Sequence, residues 1–464
     1  IPWFSVPFGR DSIITSYQTL MLLPEIAYGT LRFLAELQGK EFNDWRDEEP
    51  GKILHEVRLG EMAQLGEIPH DPYYGTVDAT PLFLVLLSEL VRWTGDLSLV
   101  GELRENVDRA LGWIRRHGDL NGDGFLEYNS RSRLGIRNQG WKDSPDSLRW
   151  RDGRSVDPPI ALVEVQGYAY DARMRMAELL AGIGEPSQAE QLRREAAELK
   201  AKFEARFWVQ SEQFLAQALD AHGEPIPSVT SNPGHCLWSG ILSADMAYRV
   251  VQRLMAPDML SGWGIRTKSS LEPDFNPMSY HNGSVWPHDN SLIMAGLKRY
   301  GCDHEANRLF TEVYEAALRF PGYRLPELYC GFDRDRHYQS MPAQYPVSCS
   351  PQAWSAGAVF LMLQQALGLR PDATRSTLYL RPVLPSWLNR LSLRRLRVGD
   401  AALDLSLTRE REKVHVDVRN AGSLNVVVEE AASPRRLPLA QGQDAQDAPS
   451  GRPSHRGEGR LQAS

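Results

Sequence analysis

The feature that most constrains the fold is an alternation between helices that are apolar on all sides and helices that are apolar on one side. Residues 81–94 (PLFLVLLSELVRWT) are apolar around almost the whole helix, which predicts burial on every side. Residues 187–208 carry Leu192, Ala196, Leu199 at spacings of four and three, with charges elsewhere, which predicts one face in water. Two concentric rings of helices would produce this alternation.

Helical periodicity dominates the chain from residue 11 to about residue 370. One or two further helices within irregular loops would bring the total close to the twelve of an (α/α)6 toroid, so we predict a mainly α fold of that kind. The ten helices that the periodicity predicts are 12–23, 30–38, 81–94, 106–117, 165–182, 187–208, 237–254, 284–299, 304–320 and 352–367.

The remaining sequence divides into long loops, a β-rich part and a tail. The loops 42–80 and 118–161 are longer than ordinary connections and rich in Trp, Tyr, Asp and Gly, which favours a functional role. From about 375 apolar residues alternate, which predicts a small antiparallel β appendage. We therefore predict a helical barrel over 1–372, an appendage over 373–430 and, because it is polar and poor in apolar residues, a disordered tail over 431–464.

Composition excludes several classes of function. No stretch approaches the roughly 18 consecutive apolar residues of a spanning helix, which argues against a membrane protein. The net charge is −7 and no basic run could neutralise phosphates, so no nucleic acid partner is expected. The four cysteines have no CxxC spacing, which favours reduced thiols over zinc ligands. The chain opens at Ile1 inside a motif, so we expect a fragment of a longer, cytoplasmic protein.

Carboxylates stand beside aromatic residues in loops before the buried helices, where a toroid would gather them at one mouth. In 8–12 (FGRDS), Asp11 fits a helix cap, but with Arg10 it also makes a donor and acceptor pair suited to two sugar hydroxyls. In 138–147 (NQGWKDSPDS), Asp143 fits a turn former as well as a general acid, whose pKa the apolar wall of Trp141 would raise. Asp146 fits a cap.

Two later loops add further candidates. The loop 280–290 (YHNGSVWPHDN) is denser in His, Asn, Trp and Asp than a structural loop usually is, although a His is more often satisfied locally than catalytic. In 325–331 (LPELYCG), Glu327 lies between Pro and Gly rather than on a solvated helix face, which favours a function. Gln352 and Trp354 are predicted to open the last inner helix.

The segment 119–127 (DLNGDGFLE) gives a weaker signal. Asp119, Asn121 and Asp123 imitate the start of a calcium loop, but Ser130 stands where the bidentate Glu of such a loop belongs. A calcium site and a Gly-rich turn both stay open at this point. We expect no other metal and no cofactor.

Taken together and in this order, FGRDS, GWKDSPDS, YHNGSVWPHDNS, LPELYCG and CSPQAWS resemble the motifs of the amylo-alpha-1,6-glucosidase and glycogen-debranching type glycoside hydrolases. These six-hairpin glycosidases are close to mannosylglycerate-hydrolase-like and processing-glucosidase enzymes. The resemblance runs from residue 1 to about 430. It implies an (α/α)6 barrel that hydrolyses an oligosaccharide or another α-glucoside with inversion, and an N-terminal β-rich domain that is absent here.

The resemblance also implies roles for individual residues. It places the general acid at Asp143 and the general base at Glu327, and Lys142 departs from the acidic or amide residue that some relatives carry. Substrate contacts are expected from a further set, of which Arg10 and Asp11 would bind the terminal sugar: Trp3, Arg10, Asp11, Gln139, Trp141, His281, Asn282, Trp286, Gln352 and Trp354.

Three other functions stay open on the sequence. A disaccharide phosphorylase on the same barrel replaces the base with phosphate, which Glu327 disfavours. A sugar epimerase would use a pair of His bases, for which His281 and His288 are the candidates. A carbohydrate-binding protein without catalysis is disfavoured because both candidate carboxylates are present.

Overall fold

A computed structural model describes residues 6–335, 337–338, 340–411 and 413–430. Within these residues the chain is mainly helical, as predicted. The helices are α1 (Gly9–Thr19), α2 (Pro24–Glu36), α3 (Glu61–Gln64), α4 (Ala79–Thr94), α5 (Ser98–Glu102), α6 (Arg104–Arg116), α7 (Val163–Gly182), α8 (Pro186–Arg206), α9 (Asn232–Ser239), α10 (Ala244–Leu254), α11 (Pro287–Arg299), α12 (Asp303–Ala317) and α13 (Ala353–Leu367).

Six of these helices, here called the inner helices, pack against one another in a closed circuit. Helix α1 contacts α4, α4 contacts α7, α7 contacts α9, α9 contacts α11, α11 contacts α13, and α13 contacts α1. Helices α4, α9 and α11 are buried on nearly all sides because each has neighbours on every side. The apolar run 81–94 forms most of α4, so its predicted burial is confirmed.

The other long helices among the described residues lie outside this circuit. Helix α2 contacts α1 and α4, while α6 contacts α4, α8 contacts α7, α10 contacts α9, and α12 contacts α11. Each buries one apolar stripe, and the one-sided burial predicted for 187–208 is confirmed. In α8 the stripe consists of Ala189, Leu192, Ala196, Leu199 and Phe203.

The prediction of one helix over 237–254 is wrong, since the chain forms α9 and α10 there. Gly240 ends α9 with a left-handed backbone (φ 78°), and Ser243 is extended (ψ 160°) before α10 begins. Glycine adopts this conformation without the steric cost that a Cβ imposes. The other predicted helices are present with shifted ends, and within the described ranges periodicity missed the short α3 and α5.

Short strands accompany the helices. They are β1 (Ala161–Leu162), β2 (Trp208–Val209), β3 (Phe214–Leu215), β4 (Ala218–Leu219), β5 (Pro225–Ile226), β6 (Arg370–Asp372), β7 (Thr377–Leu380), β8 (Arg390–Val398), β9 (Ala401–Glu410), β10 (Lys413–Arg419) and β11 (Asn425–Val428). Among the described residues, 3₁₀ turns lie at Pro321–Tyr323 and Ala373–Arg375.

The C-terminal strands depart from the predicted antiparallel order. Strands β8, β9 and β10 form an antiparallel meander, whereas β7 pairs antiparallel with β6 and parallel with β11. The parallel pair is feasible because the whole meander separates β7 from β11, and parallel strands need a long connection. The predicted antiparallel pairing is therefore confirmed for the meander and for β6 with β7, and the parallel pair of β7 with β11 departs from it.

The strands β6 and β8 contact α4, and all described residues belong to one compact unit. The division between barrel and appendage at residues 372 and 373 stays a prediction. The tail 431–464, predicted to be disordered, lies outside the described residues. No helix in the described part of the chain is both long and apolar enough to cross a lipid bilayer.

Candidate active site

The site forms where the first turns of the inner helices meet. Gly9 begins α1 against the backbone of the 54–56 segment, with its N–H donating to the His55 carbonyl at 2.7 Å. A Cβ at Gly9 would lie 2.0 Å from the Leu54 carbonyl oxygen, so only glycine allows this approach. Side-chain pairs then join one helix start to the next: Arg10 with Asp78, Glu164 with Asn232, His235 with Asp289, His288 with Trp354, and Gln352 with Asp11.

Arg10 connects the predicted general acid to the start of α4. Its Nη1 donates to both carboxylate oxygens of Asp78 at 3.1 and 3.0 Å, and its Nη2 donates to Asp143 Oδ2 at 3.2 Å. Asp78 stands before the first residue of α4 but does not cap it, because Arg10 and the Thr76 hydroxyl occupy its oxygens. Arg10 is thus held between two carboxylates in a buried position.

Asp143 combines partial exposure with a strongly desolvated surrounding. Its side chain is 31% exposed, which leaves an oxygen accessible to a ligand. Burial raises the pKa of Asp143 to about 6; the charge of Arg10 lowers it, and the nearby carboxylates of Asp78 and Glu56 raise it. A carboxyl group with this pKa is partly protonated near neutral pH, as a general acid requires.

The loop that carries Asp143 is fixed from several directions. The Asn138 amide donates to the Ser144 carbonyl at 2.8 Å, and the Asn282 amide donates to the Asp146 carbonyl at 2.9 Å. His281 Nδ1 lies 2.8 Å from the Ser144 hydroxyl and accepts the Ser144 N–H at 3.3 Å. Nδ1 therefore acts as an acceptor, which places the imidazole proton on Nε2.

Lys142 joins the same loop to the backbone at Thr267. Its Nζ donates to the Thr267 carbonyl at 2.6 Å and lies 4.9 Å from the centre of the Trp141 ring. Burial lowers the pKa of Lys142 to about 7, while Asp289 and Glu164 act in the opposite direction. Lys142 is thus buried, and its hydrogen bond to Thr267 helps to hold the acid loop in place.

Glu327 lies in a different kind of environment. Tyr280 Oη donates to Glu327 Oε1 at 2.6 Å, and the Cys349 N–H donates to Oε2 at 3.1 Å. The Glu327 backbone N–H donates to the Cys349 carbonyl at 2.9 Å, and its carbonyl accepts the Ser355 hydroxyl at 3.2 Å. Neutral hydrogen-bond donors thus hold this carboxylate in one orientation, in contrast to the guanidinium beside Asp143.

The loop of Tyr280 reaches Glu327 through paired backbone segments. The Val285 and Tyr329 backbones exchange hydrogen bonds of 2.8 and 3.1 Å. This pairing places 280–286 alongside 325–331, so two loops far apart in sequence share one wall of the site.

Asp11 joins the two predicted catalytic carboxylates into one group. Burial raises the pKa of Asp11 to about 7; Arg10 opposes this, and the charges of Asp143 and Glu327 add to it. Gln352 caps α13 by accepting the Ser355 N–H and reaches Asp11 Oδ1 with its amide nitrogen at 3.5 Å. Asp143 and Glu327 therefore both lie within electrostatic range of Asp11.

A cluster of aromatic rings surrounds Trp141, two residues before Asp143. Trp141 contacts the rings of His281, Trp286 and His288 edge to face, with centroids 5.8, 5.8 and 4.9 Å away. Trp354 stacks on His288 with centroids 3.7 Å apart. Burial lowers the pKa of both histidines well below the ordinary value, so both are neutral.

Gln139, a predicted substrate contact, is hydrogen-bonded elsewhere than at Asp11, Asp143 or Glu327. Gln139 is buried, and its amide donates to Asp47 at 3.2 Å, within a network that also binds the Tyr73 hydroxyl. Trp3 lies outside the described residues. Asp146 is exposed and contacts Asn282 through its backbone carbonyl.

Sequence reasoning did not single out Asp78 or Tyr280 as members of the site. Asp78 stands just before a buried helix, which is the ordinary position of a capping residue. Tyr280 opens the YHNGSVWPHDN loop, in which His281, Asn282 and Trp286 are the predicted substrate contacts. The missed signal was that both belong to loops ending at inner helices, in the same way as Asp11 and Asp143.

The candidate calcium loop is held by its own hydrogen bonds. Asp119 accepts the N–H groups of Gly122 and Gly124 at 2.7 and 3.0 Å, and the Asn121 amide donates to Asp123 and Glu127 at 3.2 and 2.7 Å. In the described part of the chain, no group of three or more His, Cys, Asp or Glu side chains is arranged to hold a metal ion.

Comparison with known families decides the relationship. Residues 64–324, more than half of the chain, match the mannosylglycerate hydrolase MGH1-like glycoside hydrolase domain. The chain belongs to this glycoside hydrolase family. The matched region includes Asp143 and ends three residues before Glu327.

One individual relative matches over a shorter part of the chain than the family does. The mannosylglycerate hydrolase MGH1 of Selaginella moellendorffii is 31% identical over 93 residues, which are 20% of this chain and 19% of that protein. The chain therefore aligns with about a fifth of this curated relative.

Solved structures share the fold. The GH63 mannosylglycerate hydrolase from Thermus thermophilus, solved with Tris and D-glycerate, superposes with a TM-score of 0.54 and 16% identity, over 77% of this chain and 93% of that one. A GH78 family rhamnosidase of a Bacillus species superposes with a TM-score of 0.64 and 14% identity, over 92% of this chain and 39% of that one.

Proposed function

We propose that this chain hydrolyses α-glucosidic bonds with inversion of the anomeric centre, with Asp143 as the general acid and Glu327 as the general base. The observation that carries the proposal is the convergence of these two carboxyl groups on Asp11 from unlike environments. Family membership supplies the glycoside hydrolase class. The loops that hold the two groups lie far apart in sequence, and the inner helices bring them together.

The proposed reaction needs one proton donor and one proton acceptor. Asp143 gives its proton to the oxygen of the leaving sugar while the bond from that oxygen to the anomeric carbon breaks. Glu327 takes a proton from water, whose oxygen forms the new bond on the opposite face of the ring. The pKa of about 6 at Asp143 supports the donor role, and the hydrogen bonds from Tyr280 and Cys349, which orient the Glu327 carboxylate, support the acceptor role.

We propose that the helices form an (α/α)6 toroid with the site at one mouth. The closed circuit of six inner helices and the one-sided burial of the outer ones support this arrangement. The start of every inner helix contributes a polar or aromatic side chain to the group described above. In this arrangement Arg10 binds the acid, Asp143, and Asp11 and Gln352 are left to bind the terminal sugar.

The proposed substrate is an α-glucoside, with α-1,6-linked glucose as the first choice, as in an amylo-alpha-1,6-glucosidase. The rings of Trp141, Trp286 and Trp354 would support the sugar pocket, and His281 and Asn282 would shape it by fixing the acid loop. Because two carboxyl groups perform both proton transfers, we propose that no metal or cofactor takes part. Mannosylglycerate, which names the relatives, belongs in the test as a competing substrate.

A substrate panel tests this function. The purified chain is incubated with α-1,6- and α-1,4-linked glucose disaccharides, a limit dextrin and mannosylglycerate, with and without phosphate and EDTA. We expect free glucose from the α-1,6 compound, independent of both additions. Cleavage of mannosylglycerate alone would contradict the α-glucosidic specificity. Release of a phosphorylated sugar would indicate a phosphorylase, and an epimerised sugar would indicate an epimerase. Binding without any product would indicate a carbohydrate-binding protein without catalysis.

Variants test the assigned roles. We expect Asp143→Asn and Glu327→Gln each to reduce turnover by about 10²- to 10⁴-fold while the fold is retained. Asp146→Asn is the matched control, because it changes an exposed carboxylate of the same loop. Near-normal turnover in either of the first two variants would remove that residue from its role.

A further inference from the structure

Tyr280 contacts the proposed base directly. Its hydroxyl donates to Glu327 Oε1 at 2.6 Å, a short distance typical of a hydroxyl that donates to a carboxylate. The Tyr280 ring is itself held by edge contacts with His281 and Trp286, whose centroids lie 4.5 and 4.8 Å away. The hydroxyl therefore has little freedom to leave the carboxylate.

We infer that Tyr280 is a positioning residue that orients the Glu327 carboxylate and fixes the direction in which its remaining lone pairs can take a proton from water. The inference rests on the proposed role of Glu327 as the base. Since Tyr280 occupies Oε1 from one side and the Cys349 N–H occupies Oε2 from the other, the carboxylate is fixed in rotation about its terminal bond. Its remaining lone pairs then point in fixed directions.

Tyr280 donates and does not itself exchange protons. Burial first, and then the neighbouring charges of Glu327, Asp143 and Asp11, raise its pKa far above the ordinary value. The phenol thus stays protonated over the whole pH range in which a glycosidase works. Its contribution is one hydrogen bond that favours the charged form of its partner.

Other described titratable groups also face Glu327, and they act on it differently. The negative charges of Asp11 and Glu327 repel one another. Cys349 contributes its backbone N–H and a weak thiol contact, and the Tyr345 ring lies beside Tyr280 with centroids 5.7 Å apart. Among the described residues, the titratable groups that interact with Glu327 are Asp11, Tyr280, Tyr345 and Cys349.

The test compares the pH profiles of Tyr280→Phe and Tyr345→Phe. In Tyr280→Phe we expect kcat/KM at neutral pH to fall about 10- to 100-fold, the loss of one hydrogen bond to a charged group. The acidic limb of the profile should move by about one pH unit to higher pH, because the ionised base has lost its donor. The alkaline limb, which belongs to the acid, should stay in place.

Tyr345→Phe is the matched control, since it removes a hydroxyl from a ring that packs against Tyr280 and leaves the Tyr280 hydroxyl in place. We expect its profile to match that of the unmodified protein, and thermal melting of all variants reports folding. An unmoved acidic limb in a folded Tyr280→Phe, with Glu327→Gln inactive, would overturn the inference and leave the base assignment standing. An active Glu327→Gln would instead overturn the proposed function itself.

Discussion

The loop of Asp143 and the loop of Glu327 hold the same functional group in opposite ways. Asp143 lies beside the Arg10 guanidinium and near two further carboxylates, and burial raises its pKa to about 6. Glu327 is bound by a phenol and a backbone N–H, which are neutral donors. One carboxyl group thus has a raised pKa and the other is oriented by neutral donors, so the two groups suit opposite steps of one reaction.

The largest effect is expected from removal of the proposed base. Glu327→Gln should lose about 10³- to 10⁴-fold in kcat, the upper part of the expected range, on an ordinary α-glucoside and equally on α-glucosyl fluoride, because both substrates need an activated water. The measurement is initial rate with each substrate. Recovery of the fluoride reaction alone would move Glu327 to the leaving-group side of the reaction.

The proposed acid should respond differently to the same two substrates. Asp143→Asn should lose about 10²- to 10⁴-fold on the ordinary glucoside, whose leaving oxygen needs a proton. Its rate on α-glucosyl fluoride should fall far less, since fluoride leaves without a proton. Equal losses on both substrates would contradict the contrast between the two loops.

Arg10 is expected to stabilise the fold through its ion pairs with Asp78 and Asp143. Arg10→Met leaves Asp78 buried without its partner, which typically costs about 3–5 kcal/mol of the free energy of unfolding. Arg32→Met is the control, because Arg32 pairs with Glu102 on the exposed surface and little change is expected. Chemical denaturation measures both. Equal, small changes would show that the Arg10 pairs do not hold the site together.

The pH profile gives the smallest and most specific effect. Because the pKa of Asp143 is raised to about 6, the fraction of protonated acid falls as pH rises through that value, and kcat/KM should fall with it. The alkaline limb on an ordinary glucoside should therefore lie near the pKa of Asp143 and should be absent with α-glucosyl fluoride. The same limb with both substrates would assign it to another group, such as Asp11.

Much of the helical framework follows from the sequence, because burial on all sides leaves a clear pattern. The apolar run of α4 and the stripe of α8 are both predicted correctly. The break at Gly240 is not, since the apolar pattern continues across it and only the left-handed backbone ends the helix. The parallel pairing of β11 with β7 also depends on long-range packing rather than on local alternation.

The sequence predicts the site less completely than it predicts the helical framework. Asp143, Glu327 and Asp11 are found as loop carboxylates, and the structure brings them together. Gln139 is drawn instead to Asp47, a residue 92 positions away in the chain, which no local pattern reveals. Asp78 has the sequence context of a helix cap, and only the position of Arg10 shows that it serves another residue.

The anomeric form of the first product tests the central claim most directly. Proton NMR during the first minutes of hydrolysis of an α-glucoside records the released sugar before it equilibrates. Inversion by Asp143 and Glu327 predicts that the β anomer appears first and the α anomer only later, through mutarotation. First release of the α anomer would contradict the two-carboxylate inverting mechanism, because it requires two displacements at the anomeric carbon.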